Sequence, residues 1–322
     1  MTRVAITKSV RSRRRSPLSR IDARKKRINA PRKQFALSAP KHTTQERQAS
    51  QHAGFDVART AKLLTDAVAR SGAAIMRHCR HGTEVRLKAD SSPVTQADKA
   101  SEAIVIEALK RIAPQIPVVS EEIASDRSAP LGRCFFLLDP LDGTKEFIQK
   151  RSDFTINIAL IEDGYPRFGL VYAPARSLLA LTPDADKAVE ATLVPSDDGA
   201  DLKTLDIRPI HVRAPSPDGL VAVVSRSHLD SATEAFLAKH KIAARSGAGS
   251  ALKFLEVARG VADVYPRFGP TMEWDTAAGH AVLIAAGGYV EDADGKPLRY
   301  GKTETGLRNP GFVAWGQRPA TS

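Results

Sequence analysis

The chain has 322 residues, of which 42% are apolar and 26% charged, with two cysteines and a formal net charge of +12. This length is enough for one large or two ordinary domains with buried cores, and the composition excludes a wholly disordered or collagen-like chain. Two cysteines are too few for a disulfide framework or a zinc site, so we expect free thiols in a reducing compartment.

The positive charge is concentrated in the first 50 residues. They contain 15 Lys and Arg against 2 Asp and Glu, whereas the other 272 residues contain 33 basic and 34 acidic side chains. Few large apolar residues and no sustained periodicity predict a disordered basic extension over residues 1–52. Three interpretations of it stay open: a solvated extension or a start codon assigned too far upstream, an arm that touches anionic surfaces, and an organelle transit peptide.

The sequence also bears on location. It contains no run of the roughly 18 apolar residues that a membrane-spanning helix needs, and its N-terminus lacks the apolar core of a signal peptide. We therefore expect a cytoplasmic protein. A peripheral position on the cytoplasmic face of the inner membrane is the alternative.

Helical and strand-like patterns alternate from Phe55 onward. Apolar residues spaced by three and four positions predict a first helix there, and a turn-rich stretch at 88–98 leads into a second predicted helix at 99–113. Two apolar runs, 116–122 and 134–144, end directly in carboxylates and predict strands.

The next run, 154–174, predicts a hairpin that turns at Asp163-Gly164. A polar, irregular stretch at 183–204 marks a looser connection, so we predict two domains, 53–214 and 215–320. The alternation of helices and strands in both predicts mixed α/β layers. The predicted elements of the second domain are a strand at 219–228, helices at 231–240 and 250–260, a strand with a turn at 261–270, and a helix at 274–288.

The sequence Asp-Pro-Leu-Asp-Gly-Thr at 139–144 is the best candidate for chemistry. An apolar strand delivers Asp139 to its end, the proline cannot continue the ladder, and the glycine permits a tight turn. Asp139, the Leu141 carbonyl and Asp142 can then converge on one point. Hard divalent cations prefer such oxygen ligands. A plain Asx turn at a strand end is the alternative.

Further carboxylates lie at the ends of predicted elements. Glu121 and Glu122 close the strand that precedes the motif. Asp98 follows a turn, and Asp275 opens a helix. Structural explanations are also available: Glu122 can be solvated, Asp98 can form a capping box with Thr95, and Asp275 can complement a helix N-terminus. Their presence together in one chain favours a shared metal site.

These acidic residues and several longer segments resemble the inositol monophosphatase family of magnesium-dependent, lithium-sensitive phosphatases. The resemblance runs from about Phe55 to Gly316 and implies a mixed α+β and α/β fold, a layered αβαβα sandwich of the inositol monophosphatase and sugar phosphatase type. The segments most similar to the CysQ-type 3'(2'),5'-bisphosphate nucleotidases within that family are KADSSPVTQAD, DPLDGTKEFI, FTINIALIEDG, SRSH, YPRFGPTMEWDTAAGHAV and NPGF.

The resemblance implies two or three Mg²⁺ ions and a metal-activated water that attacks phosphorus without a covalent intermediate. It assigns the activation of this water to Glu121, Thr144 and Asp98. The metal ligands that it implies are Glu121, Asp139, the Leu141 carbonyl, Asp142 and Asp275. The substrate-binding residues that it implies are Glu121, Leu141, Asp142, Gly143, Thr144, His228, Ser250, Lys253, Arg267 and Asp275.

For two of these residues a structural explanation stays open, since Ser250 can cap its helix and Lys253 can be solvated. On this resemblance the N-terminal domain is the metal-binding one, and the C-terminal domain completes the metal and substrate site.

The implied reaction is hydrolysis of adenosine 3',5'-bisphosphate to AMP and phosphate, linked to sulfur assimilation. Inositol monophosphate and histidinol phosphate are alternative substrates, because sister branches share the metal centre. A nucleic-acid-binding protein that acts through its basic arm is a second interpretation. The balanced charge after residue 50 and the aromatic content of 6% oppose it, so we expect no obligatory nucleic-acid partner. The oligomeric state stays open. A P-loop at 301–303 is excluded, because its first glycine is missing.

Overall fold

A computed structural model of the chain describes residues 55–82, 84–87, 93–123, 130–184, 186–226 and 230–318. The predicted basic extension at 1–52 lies outside these residues, and so does His228. The described residues all belong to one compact unit that begins after residue 51. None of the helices described has the length and apolar character that a bilayer crossing needs.

Two long helices form the first layer of the fold. The chain enters through α1 (Val57–His81), the antiparallel pair β1 (Val85–Leu87) and β2 (Pro93–Thr95), and α2 (Gln96–Ile112). The first helix confirms the prediction. The second begins three residues before the predicted start, because Thr95 and Asp98 form the expected capping box and this box draws residues 96–98 into the first turn.

In the described part of the chain, the first sheet has seven strands, arranged in chain order. They are β3 (Val118–Ser120), β4 (Cys134–Asp142), β5 (Thr155–Glu162), β6 (Tyr165–Ala173), β7 (Leu178–Asp184), β8 (Lys187–Thr192) and β9 (Ile207–Pro209). The β3–β4 pair is parallel and the other pairs are antiparallel. The β5–β6 hairpin confirms the prediction. Asp163 and Gly164 both have positive φ at its turn, the backbone that a tight hairpin favours.

One prediction in this sheet was wrong. The polar stretch at 183–204 was expected to be irregular, yet β8 occupies its middle. Ala188, Val189 and Ala191 are buried against the neighbouring strands. Two of these three residues are alanines, whose small side chains give only a weak strand signal in the sequence.

Over the same described ranges, the second sheet has five strands in the order β11-β10-β12-β14-β13. The pairs that β10 makes are parallel and those that β14 makes are antiparallel. The strands are β10 (Leu220–Ser225), β11 (Ile242–Ala248), β12 (Val264–Arg267), β13 (Tyr289–Asp292) and β14 (Phe312–Trp315). The predicted division at 214/215 falls between β9 and β10, and two separate domains stay a prediction.

Three further helices complete the layers: α4 (Ser231–Leu237), α5 (Leu252–Ala258) and α6 (Glu273–Ala285), after the short α3 (Thr144–Ile148). Helices α5 and α6 share one core with the facing sides of both sheets. Helices α1 and α2 share a second core with the outer side of the first sheet, and α4 covers the outer side of the second. This order confirms the predicted αβαβα sandwich.

Strand β4, second from one edge of the first sheet, is buried on both faces. Its successive side chains point to opposite faces, so Phe135 and Leu137 enter the central core and Phe136 and Leu138 enter the core under α1 and α2. Burial on both faces fixes the register of the strand, because a slip by one residue would exchange the two sets. The end of β4, which carries the Asp-Pro-Leu-Asp-Gly-Thr segment, is therefore held in a fixed position.

Candidate active site

The Asp-Pro-Leu-Asp-Gly-Thr segment bends sharply at the end of β4. Asp139 pairs with Asn157 and Asp142 pairs with Thr155, so β4 has one residue more than β5 between the two pairs. Such a bulge twists a strand and redirects its side chains. The Asp139 Oδ1 atom accepts the N–H of Leu141 at 3.0 Å, which holds the turn.

Gly143 follows the bulge with φ of +89°. A Cβ atom here would lie 3.0 Å from the Asp153 carbonyl oxygen and 3.3 Å from Phe154 Cα. We expect Gly143→Ala to lower the free energy of unfolding by about 1–3 kcal/mol, because it combines a left-handed backbone with crowding. Urea unfolding measures this loss.

Gly295→Ala is the matched control for this substitution. Gly295 has a similar φ of +78°, and a Cβ there would meet no atom within 4 Å. It should show the backbone cost alone, about 1 kcal/mol. Equal losses in the two variants would contradict the crowding at Gly143.

Four carboxylates from three parts of the chain face one another beside this turn. Asp139 and Asp142 belong to β4, Glu121 follows β3, and Asp275 lies in the first turn of α6. Burial, and then the charges of the other three, raise the pKa of Asp139 well above its usual value. Burial followed by the charges of Asp142 and Glu121 does the same to the pKa of Asp275. Burial also raises the pKa of Asp142, although the hydrogen bond from Ser250 opposes it.

Hydrogen bonds within the chain hold these groups. Ser250 Oγ donates to Asp142 Oδ2 at 2.5 Å, and Asn157 Nδ2 donates to the same oxygen at 3.1 Å. The N–H of Met272 donates to Asp275 Oδ2 at 2.8 Å. Among the described residues, no three acidic, imidazole or thiol groups already surround a common ion position. The donor set is nevertheless all oxygen and strongly negative, which fits Mg²⁺ because a hard cation relieves the repulsion.

Asp98 is both a helix cap and a neighbour of this cluster. Its Oδ2 accepts the N–H and the hydroxyl of Thr95 at 2.8 and 2.6 Å. The Thr144 hydroxyl lies 3.3 Å from Asp98 Oδ1 and 3.2 Å from the Leu141 carbonyl oxygen. Burial raises the pKa of Asp98 against the effect of the Thr95 bonds, and the charge of Glu121 adds to the rise.

A cavity of about 480 Å³ opens beside the carboxylates. The predicted site residues that line it are Glu121, Asp142, Gly143, Thr144, Ser250, Lys253, Arg267 and Asp275. Asp98, Asp139 and Leu141 are buried and do not line it. His228 lies outside the described residues.

Lys145, Lys253 and Arg267 are the cations among the described residues that line the same cavity, and the last two are buried. Lys253 is 6% exposed, and its Nζ donates to the Ser250 carbonyl at 2.6 Å. Burial lowers the pKa of Lys253 to about 8, against the opposing charge of Asp142. Arg267 is also buried and donates to the Pro270 carbonyl at 3.1 Å. The explanation of Lys253 as a solvated residue was wrong, because α5 packs between the two sheets.

The explanation of Ser250 as a helix cap was also wrong. Helix α5 has no side-chain cap, and Ser250 precedes it with φ of +53°. The Ser250 hydroxyl instead lies 2.5 Å from Asp142 Oδ2 and 2.5 Å from Thr155 Oγ1. Ser250 thus joins the second half of the chain to the carboxylates of the first.

Thr155 and Asn157 are site residues that were not predicted from the sequence. Both are buried on β5, and their side chains contact Ser250 and Asp142 respectively. They are polar residues at alternate positions of a fully buried strand that is otherwise apolar up to Glu162 at its end. A buried polar side chain needs a partner, so this alternation was the signal that could have placed them at the site.

Comparisons with known proteins agree with this geometry. The chain is 44% identical to the 3'(2'),5'-bisphosphate nucleotidase CysQ of Shigella flexneri over 230 residues, which cover 71% of this chain and 87% of the relative. The crystal structure of CysQ from Bacteroides thetaiotaomicron is 36% identical, covers 81% of this chain and 97% of its own, and superposes with a TM-score of 0.65.

An IMPase/NADP phosphatase solved in complex with Mg²⁺ and phosphate has the same fold, with a TM-score of 0.60 and 16% identity over 76% of this chain and 86% of its own. The model of the inositol monophosphatase family matches residues 56–315. The fold, the extent of this match and the identity to the relatives show that the chain belongs to the inositol monophosphatase family.

Proposed function

We propose that this protein is a magnesium-dependent 3'(2'),5'-bisphosphate nucleotidase that converts adenosine 3',5'-bisphosphate to AMP and phosphate. The observation that carries the proposal is the cavity, which is lined by the carboxylates Asp142 and Asp275 and by the buried cations Lys253 and Arg267. A substrate with two phosphates needs one group at the metal site and cationic partners for the other. The relatives that bear this enzyme name support the same substrate class.

The metal site of this proposal consists of oxygen ligands. Two Mg²⁺ ions, with a third near Asp98, would be held by Glu121, Asp139, the Leu141 carbonyl, Asp142 and Asp275. When bound, Mg²⁺ polarises the phosphoryl oxygens and lowers the pKa of water, so that a nucleophile forms at neutral pH.

Side chains and N–H groups of the chain then orient the attacking water and the phosphate. The Thr144 hydroxyl orients the attacking water, and the Glu121 carboxylate accepts its proton. Asp98 positions this hydroxyl, since its Oδ1 lies 3.3 Å from Thr144 Oγ1. The N–H groups of Gly143 and Thr144 donate to the phosphate that is cleaved, because the left-handed turn leaves them without a side-chain cap.

The second phosphate binds to the cationic and hydroxyl groups of the cavity. Ser250, Lys253 and Arg267 line it, and His228 completes the predicted set. An anionic group beside Lys253 favours its charged form, which the burial of this side chain otherwise disfavours. The same proposal extends to a cytoplasmic location and a role in sulfur assimilation.

Steady-state hydrolysis with Mg²⁺ tests the proposal. We expect kcat/KM for adenosine 3',5'-bisphosphate to exceed that for inositol 1-phosphate and histidinol phosphate by at least about 100-fold, because those substrates lack the second phosphate that Lys253 and Arg267 would bind. Adenosine 3'-monophosphate is the matched substrate, since it lacks only the second phosphate. A preference for inositol phosphate or histidinol phosphate would overturn the assignment.

A further inference from the structure

Asp153 lies behind the cavity wall, where parts of the chain from both sheets meet. It is 1% exposed and does not line the cavity. Its backbone packs against the turn of the site, since a Cβ on Gly143 would lie 3.0 Å from the Asp153 carbonyl oxygen. On the other side, a Cβ on Gly249 would lie 2.8 Å from Asp153 Cβ. Asp153 therefore fills the space between Gly143 and Gly249.

The Asp153 carboxylate binds three donors. Oδ1 accepts from Arg176 Nη2, and Oδ2 accepts from Arg226 Nη1 at 2.6 Å and from the N–H of Gly249 at 3.1 Å. Arg226 Nη2 also donates to the Gly247 carbonyl at 2.6 Å. Burial would raise the pKa of Asp153, yet the two arginines hold it below its usual value. The charged side chains of Asp153 and Arg226 thus hold residues 247–249 through hydrogen bonds to the Gly247 carbonyl and the Gly249 N–H.

Residues 247–249 directly precede Ser250, whose hydroxyl and carbonyl contact Asp142 and Lys253 of the cavity. Ser250 follows Gly249 in a left-handed conformation, with φ of +53°. Its hydroxyl donates to Asp142 at 2.5 Å, and its carbonyl accepts from Lys253 Nζ at 2.6 Å. A left-handed backbone at a non-glycine residue persists only where its surroundings hold it. The hydrogen bonds that Asp153 and Arg226 make to residues 247–249 supply that restraint.

We infer that Asp153 and Arg226 are positioning residues that place Ser250 and Lys253 for the second phosphate and so set the preference for bisphosphorylated nucleotides. The inference rests on the proposed function. Arg226 does not line the cavity, although its neighbour Ser225 does. The side chain of Arg226 acts on substrate only through the backbone that it holds.

The two arginines provide a matched pair of variants. Arg226→Met and Arg176→Met each remove one guanidinium from Asp153, and the two side chains are similarly exposed, at 45% and 34%. Of the two, Arg226 is the one that bonds the Gly247 carbonyl. We expect Arg226→Met to raise KM for adenosine 3',5'-bisphosphate about tenfold with little change in kcat, because small displacements of a positioning group weaken binding strongly.

The same variant should leave kcat/KM for adenosine 3'-monophosphate within about twofold, since that substrate has no second phosphate to misplace. Asp153→Asn should reproduce the shift, and Arg176→Met should leave the ratio of the two substrates unchanged. Thermal unfolding of each variant with Mg²⁺ establishes that the protein compared is folded.

The substrate preference of the wild-type protein tests the proposed function, and the preference of the variants tests the positioning role. A wild-type protein without preference for the bisphosphate would overturn the proposed function. A wild-type preference that persists in both Arg226→Met and Asp153→Asn would overturn the positioning role. Equal losses on the two substrates, or the same shift in Arg176→Met, would identify a general structural effect and would also overturn it.

Discussion

Asp142→Asn is expected to lower kcat by about 10²–10³-fold or more, the range for removal of a group that stabilises charge in the transition state. The amide retains an oxygen that can accept from Ser250, which lies 2.5 Å from Asp142 Oδ2. What it removes is the negative charge that would bind Mg²⁺. Steady-state hydrolysis of adenosine 3',5'-bisphosphate at a series of Mg²⁺ concentrations measures the loss.

Asp263→Asn is the control for this experiment. Asp263 is a fully buried carboxylate that pairs with Arg213 at 2.8 and 3.0 Å and does not line the cavity. Its loss should reduce stability and leave kcat of the folded protein near the wild-type value. Wild-type turnover in Asp142→Asn would refute its role as a ligand, and an equal loss in both variants would show that burial of the charge, not metal binding, is responsible.

Metal-free protein that carries Asp139→Asn is expected to unfold at a higher temperature than metal-free wild type. Burial and the charges of Glu121, Asp142 and Asp275 raise the pKa of Asp139. A carboxyl group with a raised pKa destabilises the fold once the pH is high enough to ionise it. At neutral pH the neutral amide therefore relieves this destabilisation, which raises the unfolding temperature by about 2–4 °C for each kcal/mol.

Magnesium should reverse this order. Binding at about 100 times the Kd stabilises a one-site protein by about 2.7 kcal/mol, and Asp139→Asn should lose most of this gain. Thermal unfolding in chelator and in Mg²⁺ provides both readouts. Asp263→Asn should behave in the opposite way in chelator, because its charge is paired with Arg213. A lower midpoint for metal-free Asp139→Asn, together with a full response to Mg²⁺, would contradict the carboxylate cluster.

The parts of the site that could be predicted from local sequence are those that a single turn brings together. Asp139 and Asp142 are three positions apart around a proline and before a glycine, so the turn itself implies their convergence. Glu121 and Asp275 come from other elements. Their place beside β4 depends on the pairing of β3 with β4 and on the packing of α6. Their positions at the ends of predicted elements only favoured a shared site, and the family resemblance was needed to assign them as ligands.

Other features depended on packing that local sequence does not specify. Lys253 resembles an ordinary surface residue of an amphipathic helix, yet α5 is enclosed by both sheets and 6% of this residue is exposed. Ser250 has the residue type of a helix cap, but its positive φ turns the hydroxyl toward Asp142. The layers were predictable because the β-rich runs of β5 and β6 on either side of the Asp163-Gly164 turn and the helical spacing in α1 are local signals.

The central position of α6 also determines when the molecule can become active as it folds. More than half of the chain separates Asp98 from Asp275, and α6 shares its core with both sheets. Contacts between such distant parts of a chain form slowly, because loop closure must precede the stabilisation that they bring. The hairpins of the first sheet need no such closure, so a refolding chain acquires its secondary structure early and its catalytic competence last.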